Sequence, residues 1–163
     1  MIWRKKMKIV KSIICLTICV GALSLTGCST DKTAISADTF TEKMEETGLT
    51  VNDQSQEAPA DSGMSDVRVA FGEENYQIEF YAFGNEEAAK SLYNTVQSNL
   101  EDIYESASNV SKTSKNVGNY GTYALSADDM YYSISRVGNT LIYAIGDDDY
   151  KGQVKDIVED LGY

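Results

Sequence analysis

Between Tyr120 and Gly146 the chain has little freedom to choose its topology. Three runs suited to strands, at residues 120–126, 130–137 and 140–146, are separated only by Ala127-Asp128-Asp129 and by Gly138-Asn139. A parallel partner would need a crossover of about a dozen residues, whereas a two-residue Gly-Asn connection is a primed hairpin turn whose twist matches the strands it joins. The segment is therefore predicted to be an antiparallel meander, and what precedes it must pack on or beside that sheet.

Upstream, Val67, Val69 and Phe71 alternate with Arg68 and Ala70, and Gly72-Glu73-Glu74-Asn75 supplies a turn. In the run 76–83 that follows, Tyr76, Ile78, Phe80 and Ala82 share a face, which completes a hairpin. Asn85 is a good N-cap, Glu86 and Glu87 suit the positive end of a helix dipole, and Ala88, Ala89, Leu92, Tyr93, Val96, Leu100 and Ile103 recur at helical spacing over about 86–104. Ser36 or Asp38 caps a first helix near 37–47 that Gly48 stops. Val154, Ile157, Val158 and Leu161 form the apolar stripe of a last helix that Gly162 ends. Leu49, Thr50 and Val51 fit a further short strand. Residues 54–66, with the single proline Pro59, and residues 106–119, rich in Ser and Asn, read as mobile loops. No β-α-β-α alternation is present, so the order predicts an α+β domain: an antiparallel sheet of five or six strands with about three helices packed on one face.

The start of the chain has a different character. Arg4, Lys5, Lys6, Lys8 and Lys11 precede an apolar stretch at 13–25, too short for the roughly 20 residues a helix needs to cross a bilayer but suited to the core of an export signal. Leu25-Thr26-Gly27-Cys28 then resembles the lipobox of bacterial lipoproteins. That resemblance implies cleavage between Gly27 and Cys28, removal of residues 1–27 as a signal peptide, and a diacylglycerol on the Cys28 sulfur. It places the protein at the outer, extracytoplasmic face of the cell membrane, held through its N-terminal lipid, since two acyl chains anchor stably where one is marginal. Residues 28–35 read as a polar tether and 36–163 as a single α+β domain, a length that suits one core. The phrases Tyr76-Gln77-Ile78-Glu79-Phe80-Tyr81, Ala88-Ala89-Lys90-Ser91-Leu92-Tyr93-Asn94 and Val154-Lys155-Asp156-Ile157-Val158 look like those of small uncharacterised lipoproteins of Gram-positive gut bacteria, a likeness that implies no catalytic residue.

Processing sharpens the chemistry. Loss of the five basic signal residues leaves nine Lys and Arg against 25 Asp and Glu, a net charge of about −16 instead of −11. Such a body is repelled by nucleic acid and by anionic lipid headgroups, so no nucleic-acid partner is expected and the membrane is held through the lipid alone. Cys15 and Cys19 leave with the signal and Cys28 is spent on lipid, so the domain has no thiol for a disulfide, a nucleophile or a zinc site. With no histidine in the chain, Ser-His-Asp and Cys-His catalysis are excluded and a transition-metal cofactor is not expected. Paired carboxylates can run glycoside hydrolysis, but nothing in the spacing of the acidic residues selects a pair.

Two clusters stand out as candidate sites. Asp147-Asp148-Asp149, with Asp128 and Asp129, offers oxygen ligands of the kind calcium takes, yet an EF-hand register beginning at Asp147 puts Lys151 at a ligand position and Val158 where a bidentate Glu belongs. These residues are read as a helix N-terminus dressed with carboxylates, with no metal assigned. The second is a tyrosine-rich surface. All 11 tyrosines lie after Cys28. If Ile78, Phe80, Tyr132 and Ile134 point at the helices, alternation puts Gln77, Glu79, Tyr81, Tyr131, Ser133 and Ser135 together on the open side of the sheet. Tyrosines among small polar residues suit recognition, because Tyr offers much contact area for little entropy. The sequence thus points to a non-catalytic binding or interaction module of the cell envelope that meets an envelope protein or ligand. The alternative is a solute- or cation-binding accessory lipoprotein, with an enzyme the remotest reading.

Overall fold

The computed structural model describes residues 31–72 and 75–163. The signal segment, the Gly27-Cys28 cleavage and lipidation site, and Glu73-Glu74 of the first hairpin turn lie outside them. The elements in order are α1 (Ala37–Glu46), β1 (Thr50–Asp53), a 3-10 turn (Ser55–Glu57), β2 (Met64–Phe71), β3 (Tyr76–Phe83), α2 (Glu86–Ile103), β4 (Ser111–Val117), β5 (Tyr120–Ala127), β6 (Met130–Val137), β7 (Thr140–Asp147), a second 3-10 turn (Asp148–Tyr150) and α3 (Lys151–Asp160).

The domain is α+β, and its antiparallel sheet has seven strands in the order β1-β2-β3-β7-β6-β5-β4. The expectation of five or six strands falls short because residues 106–119 are not simply a loop: they contain β4. That strand pairs with β5 alone, at the sheet edge, and all but its last residue are exposed, so Ser111-Lys112-Thr113-Ser114-Lys115-Asn116 carries no apolar alternation. Likewise β2 begins at Met64, inside the expected loop 54–66, with a register shift between Met64 and Asp66. Gly138 takes a positive φ of 54° in the predicted β6–β7 turn, and Asp128 and Asp129 adopt φ of 50° and 63° in the β5–β6 turn.

The three helices do not share one face. Phe40 and Met44 of α1 and Val154, Ile157 and Leu161 of α3 pack with Ile78, Phe80, Ile142 and Ala144. On the opposite side, Ala89, Tyr93 and Leu100 of α2 pack with Tyr123, Leu125, Ile134 and Leu141. The reason lies in β7, where Leu141-Ile142-Tyr143-Ala144-Ile145 is apolar without a break. A strand of that kind buries both sides. α2 lies in the connection that carries the chain from β3 to the far edge at β4, and it covers the strands between. Its start is fixed by Asn85, whose side chain accepts from the Ala88 N–H at 2.9 Å, and α1 by Ser36, which accepts from Thr39 N at 3.1 Å.

The described part of the expected tether, residues 31–35, is docked. The Lys32 N–H donates to Asn119 Oδ1 at 2.9 Å and Asn119 Nδ2 donates back to the Lys32 carbonyl at 2.8 Å. Lys32 Nζ donates to the Gly162 carbonyl at 3.0 Å, and Ala34 and Ile35 pack against the α1/α3 side of the core. Strand directions put this strap, the β4–β5 turn and the β6–β7 turn at one end of the sheet, with Gly138 N bonded to the Asn119 carbonyl at 2.8 Å. The acidic turns around Asp128 and Asp147 are at the other.

Candidate functional site

The six residues expected on one open face are divided between two. In an antiparallel ladder, directly opposed residues point the same way. Gln77, Glu79 and Tyr81 oppose Ile145, Tyr143 and Leu141, on the α2 side. Tyr131, Ser133 and Ser135 oppose Gly146, Ala144 and Ile142, on the α1/α3 side with Ile78 and Phe80. Alternation fixes sides within a strand but not between strands. Here β7 intervenes, and it places Ser133, not Ile134, level with Ile78.

On the α2 side the first trio forms part of a cleft. Glu79, Tyr81, Leu141 and Tyr143 make its floor, Met64 closes one side, and Leu92, Val96, Asn99, Leu100 and Ile103 of α2 form the wall, enclosing about 360 Å³. α2 buries Leu100 and leaves Leu92 and Val96 half-covered, while Ile103 is 69% exposed at the rim. The apolar stripe of α2 is thus wider than the surface it covers. Within the cleft Glu79 is held at both oxygens: Tyr81 Oη donates to Oε2, and Gln77 Nε2 to Oε1 at 2.5 Å. Burial pushes the Tyr143 hydroxyl up to about 12, with the Glu79 charge adding to the effect. Tyr81 is raised further, first by burial and then by its bond to Glu79. Beside the cleft, Tyr104 and Tyr132 share a hydroxyl–hydroxyl bond of 2.6 Å. The floor therefore offers neutral phenols around one fixed carboxylate.

The second trio is covered. Ser135 is 2% exposed and Ser133 and Tyr131 are also buried, beneath α3. They line a smaller cavity of about 160 Å³ with Thr122, Lys155 and Tyr163. A third, open cleft of about 640 Å³ runs between α1 and β1, with Asp38, Glu42, Glu45, Glu46 and Asp53 around Arg68. Arg68 pairs with Asp66 at 2.9 Å and with Asp53. At the far acidic end, Asp147 Oδ2 accepts from Asn75 Nδ2 at 2.8 Å and Asp148 lies 3.7 Å from Lys151 Nζ. Asp147, Asp148 and Asp149 do not cap α3 directly, since a 3-10 turn ending at Tyr150 comes between. Among the described residues no three or more His, Cys, Asp or Glu side chains gather as a metal-holding group.

Met64 and Tyr143 were missed as site residues by sequence reasoning. Met64 falls in a stretch that looks like loop, and Tyr143 is hidden in a run with no alternation. For the α2 residues a signal existed, because a stripe reaching from Ala88 to Ile103 spans more than three turns on two adjacent ridges.

The architecture is a seven-stranded antiparallel sheet with helices on both sides, and no helix among the described residues is long and apolar enough to cross a membrane. No family model matches the chain, and no curated protein does. Two solved structures are similar over most of its length. A GTP binding regulator from Thermotoga maritima aligns with 78% of this chain and 84% of its own at 18% identity and a TM-score of 0.41. The extracellular domain of PknH from Mycobacterium tuberculosis aligns with 79% and 92% at 10% identity and a TM-score of 0.37. Neither likeness assigns a residue or an activity to this chain.

Proposed function

We propose that this chain is a lipid-anchored, extracytoplasmic and non-catalytic binding module, held to the outer face of the cell membrane through Cys28, which takes an envelope ligand or a partner segment in the cleft between α2 and the sheet. The observation that carries the reading is the cleft itself: uncovered apolar side chains of α2 facing Tyr81, Tyr143 and a Glu79 whose two oxygens are already engaged. A carboxylate so held is a fixed acceptor, suited to orienting a cationic or hydrogen-bond-donating group on an apolar body. The absence of histidine, and of any cysteine after Cys28, supports binding over catalysis. Photo-crosslinking in intact cells, comparing the native protein with Ile103→Asp and Glu79→Gln, tests the site. Both substitutions should reduce adduct formation several-fold in variants whose melting shows them still folded, and undiminished crosslinking would remove the cleft from consideration. Cys28→Ala should release the protein from membrane fractions. A melting midpoint raised by millimolar calcium would favour the alternative, that the carboxylates serve a cation.

A further inference from the structure

Resting on the Cys28 anchor proposed above, we infer that the domain does not swing on a tether but stands on the membrane in one orientation, with the strap end against the lipid headgroups and the acidic turns facing away. The argument begins with chain length. Between Cys28 and the docked Asp31 there are only Ser29 and Thr30, and an extended chain advances at most about 3.6 Å per residue, so the strap is held within about 11 Å of the lipidated residue. A bilayer's polar layer is itself about 5–7 Å deep on each side. The corner from which the leash departs is thus at the headgroups.

The strap has several independent holds on the domain. Asn119 exchanges two hydrogen bonds with the Lys32 backbone, its own N–H reaches Asp31 Oδ1 at 3.4 Å, and Lys32 Nζ binds the Gly162 carbonyl. Paying out more leash would mean breaking these and exposing Ala34 and Ile35. Charge acts in the same sense. The strap end carries Lys32 and Lys115, whose ammonium groups lie 5.0 and 5.4 Å from the Tyr120 ring centre. The opposite end carries Asp128, Asp129, Asp147, Asp148 and Asp149. Asp31 and Glu86 also lie at the strap end, so an anionic bilayer does not attract that end outright but repels the acidic turns more strongly than it repels the strap end.

The test uses the lipidated protein in phosphatidylcholine–phosphatidylglycerol vesicles containing a headgroup-spin-labelled lipid. After processing the chain has no free thiol, so a single reporter can be placed by Asn139→Cys at the strap end or Asp149→Cys at the far end. These positions bracket β7, whose eight residues span about 26 Å. The Asn139 reporter should be quenched several-fold more than the Asp149 reporter. Inserting about ten Gly and Ser residues between Thr30 and Asp31, which alters no described residue, should leave binding intact and abolish the difference. Equal quenching at the two positions in the vesicle-bound native protein overturns the orientation, as does a difference that survives the insert. If instead Cys28→Ala binds vesicles as well as the native protein, it is the anchor reading that fails.

Discussion

Tyr143 opposes Glu79 across β3 and β7 at the floor of the cleft, and this ties the cleft to pH. Its hydroxyl, ordinarily near 10, is pushed up to about 12 by burial and then by Glu79. Between those values the unfolded chain has lost a proton that the folded one keeps. The folded state therefore binds more protons, and stability falls as pH rises. The contribution is intact below about pH 10 and gone above about pH 12. Denaturant midpoints measured from pH 9 to 12 should decline, and Tyr143→Phe should make that decline shallower. Gly146 meets a steric limit instead. A Cβ there would sit 2.5 Å from Tyr76 Cβ and 2.9 Å from the Asn75 carbonyl oxygen. Since the second of these is backbone, Gly146→Ala should cost about 1–3 kcal/mol, read as a lowered thermal midpoint. Arg136 shows how a buried charge is managed: with 5% of its side chain exposed, it donates to Glu86 at 2.8 Å and to the Gly138 carbonyl at 3.2 Å.

Among the elements, those with their own start and stop chemistry were legible. Ser36, Asn85, Gly48 and Gly162 mark the helix termini, and Gly138-Asn139 marks a hairpin. Asn85→Ala should accordingly lower stability by about 0.5–2 kcal/mol through loss of the α2 cap, measurable by denaturant titration. β4 was illegible for a physical reason. A strand that buries neither face has no periodicity to display, and its pairing with β5 is fixed by the Gly118-Asn119 turn, with Gly118 at a φ of 52°. The side on which each helix lies was hidden in a different way. The stripe of α2 shows that it packs but not against which face, and only the unbroken apolar run of β7 signals that both faces need cover. The same ambiguity divided the candidate site, because the relation between Glu79 and Ser133 depends on a third strand.

At the scale of the whole molecule, covering both faces leaves the grooves beside helices and the sheet edges as the parts of the sheet that are still open. The α2 cleft is then a by-product of coverage: one helix of 18 residues lies over the strands between β3 and β4 and cannot close against all of them. The bond from Lys32 Nζ to the Gly162 carbonyl has a consequence for anyone altering this protein. It joins residues 130 positions apart, so the first and last described residues meet at one corner, where the Tyr163 ring is 6% exposed and hydrogen-bonded to Thr140. A purification tag or fluorescent fusion appended after Tyr163 would have to leave through that same corner, competing with the strap for space. The Asp128-Asp129 turn is exposed at the opposite end, so a sequence spliced in there would not compete with the strap, though it would disturb the bond from the Asp148 N–H to the Asp129 carbonyl at 2.8 Å.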